Sequence, residues 1–247
     1  SLHDRQQENE AESAITPARQ QHYLDIIMDQ VRHLELLMDD LLDVSRIQAG
    51  KLALRYVEVD VDSLCQQVVR LVRQRIEQAG RDHHRLRCEV SPDLPPLQID
   101  ANKLQQILHN VLDNAVKYSP AGGLVELQVG IAYPPPEAFP LRQAGEARPV
   151  AQFTIRDQGI GISTQQRGRL FQPFSRLDHP VTAQVQGAGL GLYITQKLVE
   201  AMRGTIELTS QENKGTCITI RFPLQRESGE LRQHPLLLSG KMHSVRS

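Results

Sequence analysis

Six apolar residues, Leu24, Ile27, Val31, Leu34, Met38 and Leu41, recur at spacings of three and four, which places them on one face of a single long helix. Thr16-Pro17 marks its start, with Thr16 as N-cap and Pro17 in the first helical position, where the missing N–H costs nothing. Gly50 marks its end as a C-cap, because glycine accepts the left-handed conformation that closes a helix. A helix of roughly thirty residues with one continuous apolar stripe needs a partner in water. It packs either on its own domain or, as the length of the stripe favours, in a helical hairpin or dimer bundle.

Beyond Gly50 the period changes. Leu54, Tyr56 or Val57, Val59 and Val61 alternate with polar residues and predict a strand over 52–61. Residues 62–78 return to helical spacing through Leu64, Val68, Leu71, Val72 and Ile76, and Gly80 ends that helix. A strand over 85–90 and a turn at Pro92, Pro95 and Pro96 follow. Ile99-Asp100 then leads into a helix over 101–118. Strands are expected at 124–131, 150–156, 206–208 and 216–222, and a helix at 191–202, with the last turn at Asn213-Lys214-Gly215. The polar segment 1–16, the Pro-rich stretch 133–149 and the aperiodic residues 225–247 read as an N-terminal segment, a surface loop and a flexible tail. No internal repeat is present.

Composition narrows the partners. A formal net charge of −1 gives no broad attraction to nucleic acid or to an anionic membrane. No apolar run is long enough to span a bilayer and no signal peptide opens the chain, which fits a cytoplasmic location. Cys65, Cys88 and Cys217 are scattered and odd in number; they read as reduced thiols without metal-ligand spacing. Opening on Ser1 without a Met, the chain reads as a piece of a longer protein, and the absence of a membrane segment constrains this piece only.

Three stretches carry chemistry. On the helix over 101–118, Asn110, Asn114 and Lys117 fall at i, i+4 and i+7 and share one stripe beside the apolar face. Such a stripe is either merely solvated or a site, since amide oxygens are hard neutral ligands for Mg²⁺ and an ammonium complements phosphate. Asp157-Gln158-Gly159-Ile160-Gly161-Ile162 joins a carboxylate, an acceptor for a purine amine, to backbone that a ring can approach closely. Gly187-Ala188-Gly189-Leu190-Gly191-Leu192 clears side chains from a helix start, where backbone N–H groups meet phosphate.

Together with Leu41–Leu52, which resembles the end of a second dimerisation helix, these stretches resemble the asparagine and glycine boxes of sensor histidine kinases over about residues 17–224. The resemblance implies an α+β fold, a two-layer α/β sandwich whose mixed sheet is covered by helices on one face. The ATP-binding catalytic domain would span 53–224, behind a dimerisation helix at 17–52. It implies ATP and Mg²⁺ as ligands: Asn114 and Asn110 on the metal, Lys117 on phosphate and Tyr118 against ribose or adenine. Asp157 would accept from the adenine amine beside Gly159, Gly161 and Ile162. Gly187, Gly189, Leu190, Gly191 and Leu192 would meet the phosphates, and Thr216 would bond adenine directly or through water. Phe171 and Phe174 resemble the phenylalanine box, as core or lid-anchoring aromatics, and 177–186 the mobile lid.

Gyrase-like and chaperone relatives place a Glu where Asn110 stands, and an amide cannot act as that base, so slow hydrolysis is implied. The family's acceptor stretch, Ser-His-Glu-Leu-Arg-Thr-Pro-like, has no counterpart; His3, His22, His33 and His109 are not nominated. The implied activity is transfer of the ATP γ-phosphate to a histidine, by a homodimeric parent that relays it to a response regulator, while this piece binds Mg-ATP without autophosphorylating. Two alternatives stand beside it: a non-catalytic ATP-binding module, and a gyrase- or chaperone-type hydrolase. A serine kinase related to anti-sigma factors shares the pocket but not the Leu41–Leu52 segment.

Overall fold

A computed structural model describes residues 17–81, 83–133, 149–175 and 188–224. Segment 1–16, most of the Pro-rich loop, the lid at 177–186, Gly187 and the tail lie outside the described residues. The chain divides between Ser45 and Arg46 into two compact units. Helix α1, Pro17–Gln48, runs through the first, and its stripe residues stand 43–63% exposed. Its end is closed by Gly50 at φ +65°, with Lys51 N–H donating to the Arg46 carbonyl at 2.8 Å and Gly50 N–H to Ile47 at 3.0 Å.

The second unit starts with β1, only Val57–Val59 rather than the ten residues the alternation suggested. Capping outcompetes extension there. The Asp60 carboxylate accepts from Asp62 N–H at 3.1 Å and from the Ser63 hydroxyl at 2.7 Å, and so starts helix α2, Val61–Gln78. Strand β2, His84–Val90, follows. Then comes β3, Leu97–Ile99, which pairs antiparallel with β1. Helix α3, Ala101–Lys117, is capped by Asp100, which takes the Lys103 N–H at 3.1 Å on one oxygen and the Arg55 N–H at 2.8 Å on the other.

Strands β4, Gly123–Ala132, and β5, Val150–Arg156, precede the single-turn helix α4, Thr164–Arg167. Helix α5, Gly191–Ala201, and the hairpin β6, Thr205–Gln211, with β7, Gly215–Pro223, complete the unit. The sheet order is β2-β4-β5-β7-β6, parallel only between β2 and β4, so it is mixed. Helices α2, α3 and α5 pack side by side on one face, α2 over β2, α3 over β4 and β5, α5 over β6. This is the α+β sandwich the sequence implied.

Alternation sends Val125, Leu127, Val129, Phe153, Ile155, Ile218, Ile220 and Phe222 into the layer beneath the helices, all at most 6% exposed. Leu104, Ile107, Leu108, Val111 and Leu112 of α3 meet them at 0–1%. The other sheet face is polar: Arg221 bonds Gln152 at 2.8 Å and pairs with Glu207 at 2.9 Å. Among the described residues no helix is long and apolar enough to cross a membrane.

Candidate functional site

The apolar row of α3 leaves Asn110, Asn114 and Lys117 on its partly exposed flank. Asn110 Nδ2 is buried and has no hydrogen-bond partner among the described residues. It lies beside Gly191, where an added Cβ would sit 3.8 Å from Asn110 Cγ and 3.9 Å from Nδ2. The amide stripe therefore meets the first turn of α5. That turn is uncapped: Leu190 holds the N-cap position and offers no side-chain bond, so the first N–H groups keep their capacity for an anion. Leu190 itself is 1% exposed, a core anchor whose contribution to any ligand is confined to its backbone. Leu192 is half-buried.

Asp157, at the end of β5, organises the other side. Its Oδ1 accepts from Gly159 N–H at 2.8 Å and Thr216 N–H at 3.0 Å, and among the described residues none donates to Oδ2. Burial pushes its pKa above the ordinary 3.8, outweighing the two N–H groups that favour the carboxylate. Backbone bonds tie the same loop to its surroundings: Ile160 N–H to the Tyr118 carbonyl at 3.0 Å, and Asn213 N–H to Ile160 at 2.6 Å. Thr216 Oγ1 stands 2.9 Å from Ser210 Oγ. Ile162 is buried at 8% exposure and closes the loop from below. A cleft of about 280 Å³ opens behind Asp157 toward the polar sheet face, lined by Arg156, Thr209, Ser210, Lys214 and Cys217 among others, and none of Asn110, Asn114, Lys117 and Gly191 lines it.

The glycines have a reason the sequence did not disclose. A Cβ on Gly159 would run into the Tyr118 carbonyl, and one on Gly161 into the Gln211 carbonyl. At Gly189 it would come within 2.6 Å of the Ser175 oxygen. Gly161 and Gly189 also sit at φ +63° and +71°, where side chains are strained. Their smallness is consumed by packing of backbone on backbone. Of the described box glycines, Gly191 alone shows only ordinary contact distances.

Sequence reasoning missed three groups. Asp113 holds Lys117 in an ion pair at 2.7 Å, both about one-third exposed, although the i, i+4 spacing announced it. His109 Nε2 lies 2.8 Å from Arg75 Nη1; a guanidinium only donates, so this nitrogen accepts, and burial, followed by the Arg75 charge, pushes its pKa down. His84 Nε2 lies 2.8 Å from the Ser119 carbonyl, pinning the end of α3 just after Tyr118, its C-cap residue. Phe174 is not core: it stands 67% exposed at φ +61°, while Phe171 is half-buried. Among the described residues no three His, Cys, Asp or Glu side chains gather as a metal cluster. A cation here would rest on amides and on its own ligands. The orphaned Asn110 amide fits that, since a half-turn of its terminal group puts an oxygen where Nδ2 stands.

Comparison with known proteins identifies the family and the fold. The sequence model "Histidine kinase-, DNA gyrase B-, and HSP90-like ATPase" matches residues 99–226. The Non-motile and phage-resistance protein of Caulobacter vibrioides is 30% identical over 90% of this chain and 25% of its own length. The circadian input-output histidine kinase CikA of Synechococcus elongatus is 33% identical over 84% of this chain and 25% of its own. The chain thus spans about a quarter of these curated relatives. Among solved structures, full-length ShkA in complex with AMPPNP superposes with a TM-score of 0.65 at 28% identity, covering 86% of this chain and 40% of that one.

Proposed function

The chain belongs to the family of histidine kinase-, DNA gyrase B- and HSP90-like ATPases, and on that premise we propose that it is the catalytic part of a sensor histidine kinase, which binds Mg-ATP and transfers its γ-phosphate to a histidine. The observation that carries the reading is Asn110, whose Nδ2 is buried and without a partner among the described residues, beside an α5 start that its N-cap residue does not cap. Adenine would donate its exocyclic amine to Asp157 Oδ2, held in place by the two N–H bonds on Oδ1. Thr216 would bond adenine directly or through water, and Tyr118 would lie against ribose or adenine. The first-turn N–H groups of α5, with Gly187, Gly189, Leu190, Gly191 and Leu192, would hold the phosphates.

Asn114 and Asn110 would supply amide oxygens to Mg²⁺, which when bound neutralises charge building on the transferred phosphoryl group. Lys117 would leave Asp113 to contact phosphate, since a multiply charged anion outbids one carboxylate for the same ammonium. Catalysis then rests on positioning and charge, not on a base. Asn110 also argues against the hydrolase reading, because an amide cannot take a proton from water at neutral pH.

The exposed stripe of α1 supports a dimerisation helix over 17–52, ahead of a catalytic domain over 53–224, in a homodimeric parent that passes phosphate to a response-regulator aspartate. The test mixes this chain with labelled Mg-ATP and a separate helical hairpin bearing an acceptor histidine. The reading expects an acid-labile phosphohairpin and no label on the chain itself. Binding without transfer would leave a nucleotide-responsive module instead. An Asn110→Glu variant that gained rapid steady-state hydrolysis would favour the hydrolase.

A further inference from the structure

We propose that Cys65 and Cys88 form a dithiol site that hydroperoxides convert into an internal disulfide, tying α2 to the edge strand β2. Cys65 belongs to the buried row of α2, between Leu64 and Val68, and is 0% exposed. Cys88 lies in the inward-facing row of β2 with Leu86 and Val90, yet is only half-buried because β2 is the outer strand of the sheet. Helix and strand are consecutive, joined by the turn at Gly80, and pack on each other; Arg73 Nη2 donates to the Leu86 carbonyl at 3.4 Å. The two side chains lie close enough across this layer for each to perturb the other's titration. Cys217 has no such companion. It lies on the other sheet face, in register with Arg156 and Thr209.

The contact divides the labour between the two sulfurs. The neighbouring Cys65 side chain pushes the Cys88 pKa down against the opposing effect of burial, which favours the Cys88 thiolate. Cys88 in turn, followed by burial, pushes the Cys65 pKa up and keeps it a thiol. Cys88 is the sulfur that solvent reaches, Cys65 being 0% exposed, and so it is the one that meets the peroxide and acts as nucleophile. Its thiolate attacks the peroxide, the O–O bond breaks, and Cys88 becomes a sulfenic acid as the other oxygen leaves as an alcohol or water. With the Cys88 thiolate gone, the largest cause of Cys65's raised pKa is gone too. The Cys65 sulfur then attacks Cys88 sulfur, the S–O bond breaks, and water carries off the hydroxyl with the Cys65 proton. In sum, two thiols and one hydroperoxide give one disulfide, one alcohol (or water, from hydrogen peroxide) and one water.

The experiment treats the reduced, folded chain with hydrogen peroxide, alkylates the remaining thiols and maps peptides by mass spectrometry. The expected product is two hydrogens lighter, links the peptides of Cys65 and Cys88, leaves Cys217 alkylated and unfolds at a higher temperature, with dithiothreitol reversing every change. Cys65→Ser should halt the reaction at a Cys88 sulfenic acid that dimedone captures. Cys88→Ser should leave Cys65 unoxidised. The proposal fails if Cys217 reacts while Cys65 and Cys88 stay reduced, if Cys88 is overoxidised in the unaltered chain with Cys65 intact, or if the link forms only in denaturant.

Discussion

Replacing Asp157 by Asn tests the adenine contact without removing the side chain's structural duty. Asn keeps an Oδ1 that accepts from Gly159 and Thr216, now 2.8 and 3.0 Å away, and puts an NH₂ where Oδ2 stood. Weakening two charge-assisted bonds to neutral ones costs roughly 1 kcal/mol each. Against that loss, the raised pKa of Asp157 says that burial disfavours its charge. A folded-state pKa above the unfolded one favours the fold at low pH, and the benefit disappears as pH rises through the folded value. At neutral pH a neutral Asn escapes that burden, so the variant should fold.

Toward ATP the same change is severe. The adenine amine loses a charged acceptor worth about 1.5–3 kcal/mol and meets a donor instead, which weakens binding about 10- to 150-fold. Guanine presents a carbonyl at that position, so the preference for ATP over GTP should shrink or invert. Titration calorimetry with Mg-ATP and Mg-GTP reads both effects, and cooperative thermal unfolding certifies the variant. An ATP affinity within about threefold of the parent, well short of the loss expected for a charged hydrogen bond, in a cooperatively folded variant would refute the assignment of Oδ2 to adenine.

Lys117→Gln should weaken ATP about tenfold, the scale of one charged hydrogen bond, while leaving AMP binding unchanged; equal losses for both nucleotides would deny the phosphate contact. ATP affinity should be flat at neutral pH and begin to fall while the pH is still above 3.8, because protonating Asp157 removes the acceptor; the Asp157→Asn variant should lack that limb in calorimetric titrations across pH. Gly161→Ala combines φ +63° with a clash into the Gln211 carbonyl, and Gly50→Ala has φ +65° with nothing within 4 Å. Urea unfolding should show Gly50→Ala costing about 1 kcal/mol from conformation alone, and Gly161→Ala clearly more; equal costs would mean that the Gln211 carbonyl yields freely.

Long periodic elements were legible because burial imposes them on every turn. The α3 row from Leu104 to Leu112 could be read off directly, and so could both helix ends at Gly50 and Gly80. Shorter elements were not. Strand β3 has three residues between Pro96 and the Asp100 cap, too few to show alternation, and α4 is a single turn. The strand expected over 52–61 failed because local capping by Asp60 competed with it, a contest that periodicity does not register. At the site, residue types and spacing left the stripe of Asn110, Asn114 and Lys117 open between a solvated face and a ligand site, and the resemblance to sensor histidine kinases named the boxes. What they could not supply was the partner of each glycine, since Gly161 packs on Gln211 and Gly215 on Asp157, 50 and 58 residues away in sequence. Asp113's hold on Lys117 was legible and overlooked.

Strand β7 is synthesised after β6 yet lies inside it, between β5 and β6. A chain emerging from the ribosome therefore carries both asparagines and the Asp157 loop well before Thr216 arrives to brace the carboxylate. Until that interior strand is threaded into place, ATP has an incomplete receptor to engage, so nucleotide cannot rescue a nascent or truncated chain that stops short of it. Ligand-dependent protection would instead mark molecules whose assembly has run to its final step.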